Sequence, residues 1–395
     1  MPDRNVQVAL VGASPRIGAT GEFRWFEGDG RTFVVRGRGG EQWRLERERP
    51  GARVRAVRPD GVATAWQRAL IARVNNDGFI TADGKRYRGE LAVFPFDSGL
   101  VVVNRLGVEE YLRGVVPLEM GSRPRTDTAA LQAQAVASRS YVYVRLADAA
   151  PGASGTPGAP RIFDVRASTL DQVYGGADVE NDLASASVDA TRGLVIHFGG
   201  RVVDAPFHST CGGSTAEPNE VWRTPGAPYL QRVSDRIGRS ERYYCDIAPR
   251  FRWTRTLSGS QLNAAIRQYL AQYASVPGGR PGAAHVIGVR DRTASGRVAT
   301  LDVETERGIF ALRGDDMRYV LREPGGEILF STYFSVEPEY RAGLVSRVTF
   351  RGQGNGHGVG MCQWGAIGRA RAGQSFRSIL GTYYPGTIVG PVSAQ

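Results

Sequence analysis

Apolar and polar positions alternate in short runs through the first part of the chain: VQVALV, GEFRWFEG, RTFVVRG, EQWRLERE, ARVRAV, GFITADG, KRYRGELAVFPF and GLVVVNRL. A period of two broken by glycine predicts strands. Hairpin chemistry stands at Glu27-Gly28-Asp29-Gly30, Asn76-Asp77-Gly78 and Asp83-Gly84. The chain to about residue 107 therefore reads as an all-β module or pair of modules with no catalytic grouping. The pattern becomes helical at Thr126, with Pro124 and the Thr126/Asp127 pair as start signals. Leu131, Ala135, Ser138, Val142 and Leu146 then recur every three or four residues, while Gln132, Arg139 and Arg145 fall off that stripe.

Between the two regimes one carboxylate, Glu119, sits in an apolar run with Leu112, Val115, Val116, Pro117, Leu118 and Met120 around it. Desolvation disfavours a charged carboxyl group, so such a residue can hold a proton at neutral pH and serve as a general acid. A glutamate near a helix start more commonly meets the dipole or an arginine, but the apolar flanks argue for chemistry here. The rival acids Glu109 and Glu110 lie beside Tyr111 in what reads as the exposed start of a turn or short helix.

Further on, AAPGASGTPGAP at 149–160 reads as a surface loop ending the long helix, and a second helix is expected over 179–191. Gly199-Gly200 closes a hairpin whose second strand runs into HSTCGGST. Ser258 and Gln261 make a capping box for a helix through Leu270. A Gly/Pro-rich linker at 276–284 precedes strands near 285–292, 297–305 and 308–313. The last stretch reads strand, glycine loop, helix and short helix, with Gly373 as a stop and Ser375 as a restart. The expected class is α+β: mixed short-strand sheets with several helices around a central groove, preceded by an N-terminal β-rich region over 1–90.

Composition narrows the partners. Of 395 residues 42% are apolar, enough for a core, and no apolar run approaches membrane-spanning length. The net charge of +11 is carried almost wholly by arginine spread along the chain, which implies an anionic partner. No helix-turn-helix, RNA-binding aromatic signature or zinc-finger spacing is present, so nucleic acid is not expected; an anionic cell-wall polymer meets the charge equally well. Glycines 352, 354, 356, 358 and 360 alternate strictly and never spell G-x-G-x-x-G, and no acid follows Glu339, which excludes a dinucleotide fold. No G-x-S-x-G nucleophile elbow occurs either. His357 has glycine on both sides, which lets the backbone approach a ligand closely. The polar start MPDRNVQVALVGAS lacks the features of a secretory signal.

His208-x-x-Cys211 has metal-ligand spacing, and Cys245 and Cys362 would complete a closed structural zinc site with no open position. A Cys211–Cys245 disulfide with Cys362 as a buried thiol satisfies the same three cysteines, and both readings stand.

Three stretches in this order resemble the SpoIID/LytB family: EEYLRGVVPLEM with LQAQAVASRSYVY, then FHSTCGGST with a following Trp222, then GHGVGMCQWGAIGRARAG with YYPGT. The resemblance covers roughly residues 91–388, with Trp364 where the family usually has Tyr, and implies that the remainder after the β-rich region, 91–395, is a catalytic domain. It implies either a peptidoglycan lytic transglycosylase or an enhancer of a partner cell-wall amidase. The family's acid/base falls on Glu119 of Val116-Pro117-Leu118-Glu119-Met120. It would protonate the MurNAc–GlcNAc glycosidic oxygen, then take the proton of the sugar's own C6 hydroxyl as a 1,6-anhydro ring closes, with no second acid and no cofactor. Gln134, Arg139, Ser209, Gly212, Gly213, Thr215, His357, Gln363 and Tyr384 match positions expected to bind the glycan. Some relatives carry zinc and others none, which leaves the four candidate ligands open. The implied location is extracytoplasmic, with a signal or anchor ahead of this sequence.

Overall fold

The computed structural model describes residues 4–10, 16–75, 78–96, 99–147, 161–222 and 224–392. Asn76 and Asp77 of the turn expected at Asn76-Asp77-Gly78, and the 149–160 loop, lie outside the described residues. The fold is α+β, and contacts divide it into two compact units, 1–204 with 389–395, and 205–388. Among the described residues no helix is long and apolar enough to cross a membrane.

The first unit is built on a seven-stranded sheet ordered Val165–Arg166, Asn5–Leu10, Gly99–Gly107, Glu90–Phe96, Leu70–Val74, Phe23–Glu27, Phe33–Gly37. All neighbours are antiparallel except the parallel pair of Asn5–Leu10 with Val165–Arg166. Residue 90, where a boundary was expected, begins the strand paired between Leu70–Val74 and Gly99–Gly107. A second sheet orders Val54–Val57, Gln42–Arg47, Arg16–Ala19, Ile80–Ala82 and Lys85–Tyr87. Phe23 and Trp25 of one sheet meet Trp43 of the other, with the two indole centroids 6.0 Å apart. The strand Leu70–Val74 has no counterpart in the sequence reading: Leu70, Ile71 and Ala72 are all buried, so the run shows no alternation.

Three helices complete this unit: α1 (Val108–Met120), α2 (Thr128–Ala147) and α3 (Asp182–Ala190). α2 is a core helix rather than an amphipathic one. Its buried residues run almost without a break from Ala130 to Ser140, and small side chains at 133, 135, 137, 138 and 140 permit close approach of its neighbours. The hairpin at Gly199-Gly200 forms as expected, with φ of 57° and 79° at the two glycines, values that suit a type I′ turn.

The second unit contains α4 (Pro218–Val221), α5 (Gly259–Tyr269), α6 (Asp316–Val320), α7 (Gln363–Arg371) and α8 (Phe376–Tyr383). Two antiparallel three-stranded sheets pack with α5 and α6. One orders Arg252–Ser258, Leu344–Gln353 and Phe334–Arg341, and the other Ala284–Arg292, Val298–Thr305 and Gly308–Arg313. Ser258 and Gln261 cap α5 reciprocally, and Ser375 caps α8, as their sequences predict. A parallel pair, Phe207–His208 with Met361–Cys362, joins the two glycine-bearing segments.

Candidate functional site

In the first unit, α1 starts at Gly107, whose N–H donates to the Glu110 carboxylate at 3.3 Å. It ends at Gly121, with φ +70°, whose N–H reaches the Pro117 carbonyl at 2.9 Å. Glu119 therefore occupies the last turn, half-buried, beside Leu118, which is 41% exposed. Its Oε1 accepts the Val173 N–H at 3.0 Å. That loop is itself pinned from within. The Gln172 amide oxygen accepts from the Tyr111 hydroxyl at 3.2 Å, and the Tyr174 hydroxyl donates to Asn104 Oδ1 at 2.7 Å. Burial pushes both tyrosines well above their ordinary pKa, so they stay neutral donors. Asp171, the acid nearest along this loop, is held on Oδ1 by the Tyr141 hydroxyl at 2.6 Å and on Oδ2 by the Arg166 N–H at 2.9 Å.

Glu109 is not at an exposed helix start. It is 4% exposed and forms a two-pronged pair with Arg139, at 2.8 and 2.7 Å, joining α1 to α2. The reason is that α2 is buried on nearly every side, so its one buried guanidinium must find a carboxylate and carbonyls inside. Arg139 and Gln134, both expected to bind substrate, are accordingly 0% exposed; Arg139 also donates to the Leu194 carbonyl at 3.0 Å, and Gln134 to Ser138 Oγ at 3.0 Å.

In the second unit the two glycine segments are laced together. Thr210 and Asn355 exchange backbone bonds at 3.0 and 2.7 Å, the Ala216 N–H reaches the Gly358 carbonyl at 2.8 Å, and the Trp364 N–H the Ser209 carbonyl at 3.0 Å. His357 is half-buried, and both ring nitrogens are occupied: Nδ1 accepts the Val359 N–H at 3.1 Å, so Nε2–H donates to the Phe207 carbonyl at 2.9 Å. Burial lowers its pKa to about 4, leaving a neutral ring with Trp222 tilted against it at 4.9 Å. His208 is buried, donates Nδ1–H to the Val359 carbonyl at 3.1 Å, and leaves Nε2 with no hydrogen-bond partner. Thr215 and Tyr384 are enclosed and hold backbone: Thr215 Oγ1 accepts the Val233 N–H at 2.7 Å, and the Tyr384 hydroxyl donates to the Pro206 carbonyl at 2.7 Å. Gly212, Gly213 and Gln363 are buried, while Ser209 keeps partial exposure.

The three cysteines converge. All are free, and they meet Asp235 rather than His208: the thiol sulfurs and one Asp235 oxygen lie within 4.8 Å of one another. Cys211 Sγ is 3.5 Å from Cys245 Sγ and 3.6 Å from Asp235 Oδ2. Asp235 Oδ1 accepts from the Tyr383 hydroxyl at 2.7 Å and from Arg369 at 3.0 Å, and burial raises its carboxyl to about 7 against those two bonds. Nothing in RVSDRIG announces Asp235, since no motif spacing leads to it. Val173 was equally hidden, because it contributes only its backbone.

Residues 97–198 match the family described as Stage II sporulation protein, and residues 237–360 match a domain of unknown function. An uncharacterized protein of Brachyspira hyodysenteriae is 30% identical over 79% of this chain and 74% of its own length. Stage II sporulation protein D of Bacillus subtilis is 27% identical over 74% of the chain and 77% of its own length. The amidase enhancer of the same organism is 27% identical over 78% of the chain, which spans only 45% of that protein. The chain belongs to the SpoIID family.

Proposed function

We propose that this protein acts in the cell wall, outside the cytoplasmic membrane, as a lytic transglycosylase on peptidoglycan glycan strands, with Glu119 as its only acid and base. The observation that carries the reading is the setting of that carboxyl group. It stands half-buried on the closing turn of α1 beside exposed Leu118, with Oε1 oriented by the Val173 N–H, while both oxygens of the neighbouring loop acid Asp171 are engaged. A two-carboxylate glycosidase needs a second acid free to activate water or attack the sugar. A lytic reaction needs one. The Glu119 carboxyl gives its proton to the glycosidic oxygen as the C1–O bond breaks. The resulting carboxylate removes the C6 hydroxyl proton, and that oxygen closes on C1. Of the second unit's loop residues expected to bind the glycan, Ser209 and His357 keep partial exposure; the enclosed ones shape the loops. The +11 net charge favours residence on an anionic wall polymer.

The test uses peptide-stripped and intact glycan strands, with anhydro-muramyl ends as the readout. The protein should release them, and Glu119→Gln should lower release by roughly two to four orders of magnitude while keeping the parent's thermal transition. Undiminished release by Glu119→Gln would refute the assignment. Similarity to the amidase enhancer supports a second reading, a non-enzymatic wall-binding partner of an amidase. Its signature is binding to sacculi, no release by the protein alone, and faster release with an added amidase that survives Glu119→Gln.

A further inference from the structure

We propose that Cys211, Asp235, Cys245 and Cys362 bind one divalent ion of the zinc class in a closed, structural site. The four donors come from four separate segments of the second unit and are all buried. In a tetrahedron with Zn–S bonds of about 2.3 Å the sulfurs stand roughly 3.8 Å apart. The 3.5 Å between Cys211 and Cys245 and the 4.8 Å limit on every donor pair suit a single ion at the centre. Thiolate-rich donors with one carboxylate select zinc over magnesium or calcium.

Three surrounding features fit a metal-bound set better than three idle thiols. Cys362 Sγ accepts two backbone N–H groups, from Cys211 at 3.2 Å and from Gly365 at 3.3 Å, the second at the N-terminus of α7. Asp235 has its Oδ1 clamped by Tyr383 and Arg369, which leaves Oδ2 turned to the sulfurs, as an outer shell does for a ligating carboxylate. Three thiolates and a carboxylate around a dication leave two negative charges. Two guanidinium groups are buried beside them: Arg369 on Asp235, and Arg297, 1% exposed, on the Cys211 carbonyl at 2.9 Å. Buried charge requires such compensation. Gly365 leaves the space these groups fill, because a Cβ there would collide with Asp235 Oδ2 and the Tyr383 oxygen. With four protein donors the ion has no open position. Its role is to fasten the 208–215 and 354–365 segments to the loop carrying Cys245.

The experiment is metal analysis of the full chain, followed by chelation under reducing conditions and back-titration with Co²⁺ alone. The expected result is one equivalent of bound zinc and one of Co²⁺. The Co²⁺ form should show thiolate charge-transfer absorption with the intense visible bands of tetrahedral geometry, displaced by Zn²⁺. All three thiols should resist alkylation while the ion is bound and react after it is removed. Cys362→Ser, which removes one of three cobalt–thiolate bonds, should lose about a third of the charge-transfer intensity. Because that variant can fail to fold, Tyr383→Phe serves beside it: it keeps every ligand and should bind Co²⁺ roughly 10- to 100-fold more weakly. Failure to take up either metal, Co²⁺ binding without sulfur absorption, or a Cys211–Cys245 disulfide in the purified protein's peptide map would each overturn the proposal. None of these outcomes depends on Glu119 or on glycan cleavage.

Discussion

Replacing Glu109 by Gln isolates what joins α1 to α2. The change keeps the side chain's volume and removes its charge, leaving the Arg139 guanidinium, 0% exposed, without a counter-ion. Removing one member of a buried pair costs about 3–5 kcal/mol. The value here should fall near the lower end, about 3 kcal/mol, because the Leu194 carbonyl at 3.0 Å continues to accept from the same guanidinium and the new amide oxygen can still accept one bond. Glu109→Leu alone should cost more than the double variant Glu109→Leu/Arg139→Met. The double variant has no stranded charge and is left with an unsatisfied Gly193 N–H, now 3.1 Å from Glu109, and the Leu194 carbonyl, about 1–3 kcal/mol each if dry. The assay is urea unfolding followed by hydrogen exchange of the α2 amides, which reports the helix that loses its anchor. A Glu109→Gln variant within about 0.5 kcal/mol of the parent, or a double variant as destabilised as Glu109→Leu, would refute a buried ion pair as the joint.

Two further predictions concern the second unit. His208 and His357 have folded-state pKa values below the ordinary 6.5, chiefly through burial; around His357, Asp315 opposes the shift while Arg318 and Arg297 add to it. The unfolded chain then binds the extra protons. This stability is complete above pH 6.5 and is lost with acid, for His357 as the pH falls towards about 4. For His357 the ceiling is about 3 kcal/mol, reduced by water at its half-buried ring. Urea midpoints between pH 4 and 7 should fall with acid in the parent and less steeply in His357→Gln; equal slopes would exclude His357 as the source. Gly358→Ala should cost more than Gly373→Ala. Both glycines have positive φ, +91° and +82°, worth about 1–3 kcal/mol of strain, but a Cβ at 358 also comes within 2.6 Å of Arg297 Nη2, while Gly373 faces open space. Equal thermal shifts in the two variants would show that Arg297 gives way freely.

Elements with a clean period were legible from the sequence. The strands Phe23–Glu27 and Gln42–Arg47, the capped helix α5, and the Gly-Gly hairpin all follow local rules. Leu70–Val74 was not legible, because a strand buried on both faces carries no alternation. The long helix α2 is where the sequence places it, but its surroundings are not: a stripe at Leu131, Ala135 and Val142 implies an outer face, whereas small residues all round let neighbours enclose it. That difference turns Gln134 and Arg139 inwards, away from the substrate role their positions suggest. Cysteine spacing draws attention to His208-x-x-Cys211, while the donor the fold sets among the thiols, Asp235, lies 24 positions beyond Cys211 and is invisible without the tertiary structure.

These corrections bear on what the family's motifs encode. Thr215 and Tyr384 hold backbone, Gly358 and Gly365 make room for Arg297 and for Asp235 with Tyr383, and Arg139 neutralises Glu109. Each is demanded by packing or charge inside one unit, so substitution there should act first on folding. Glu119 differs in keeping partial exposure on the closing turn of α1, where its Oε1 accepts the Val173 N–H. The motif residues therefore separate into those that hold backbone or make room, and a partly exposed set, Glu119, Ser209 and His357. A glutamine at 119 should leave the folded state intact, where an alanine at 139 should not.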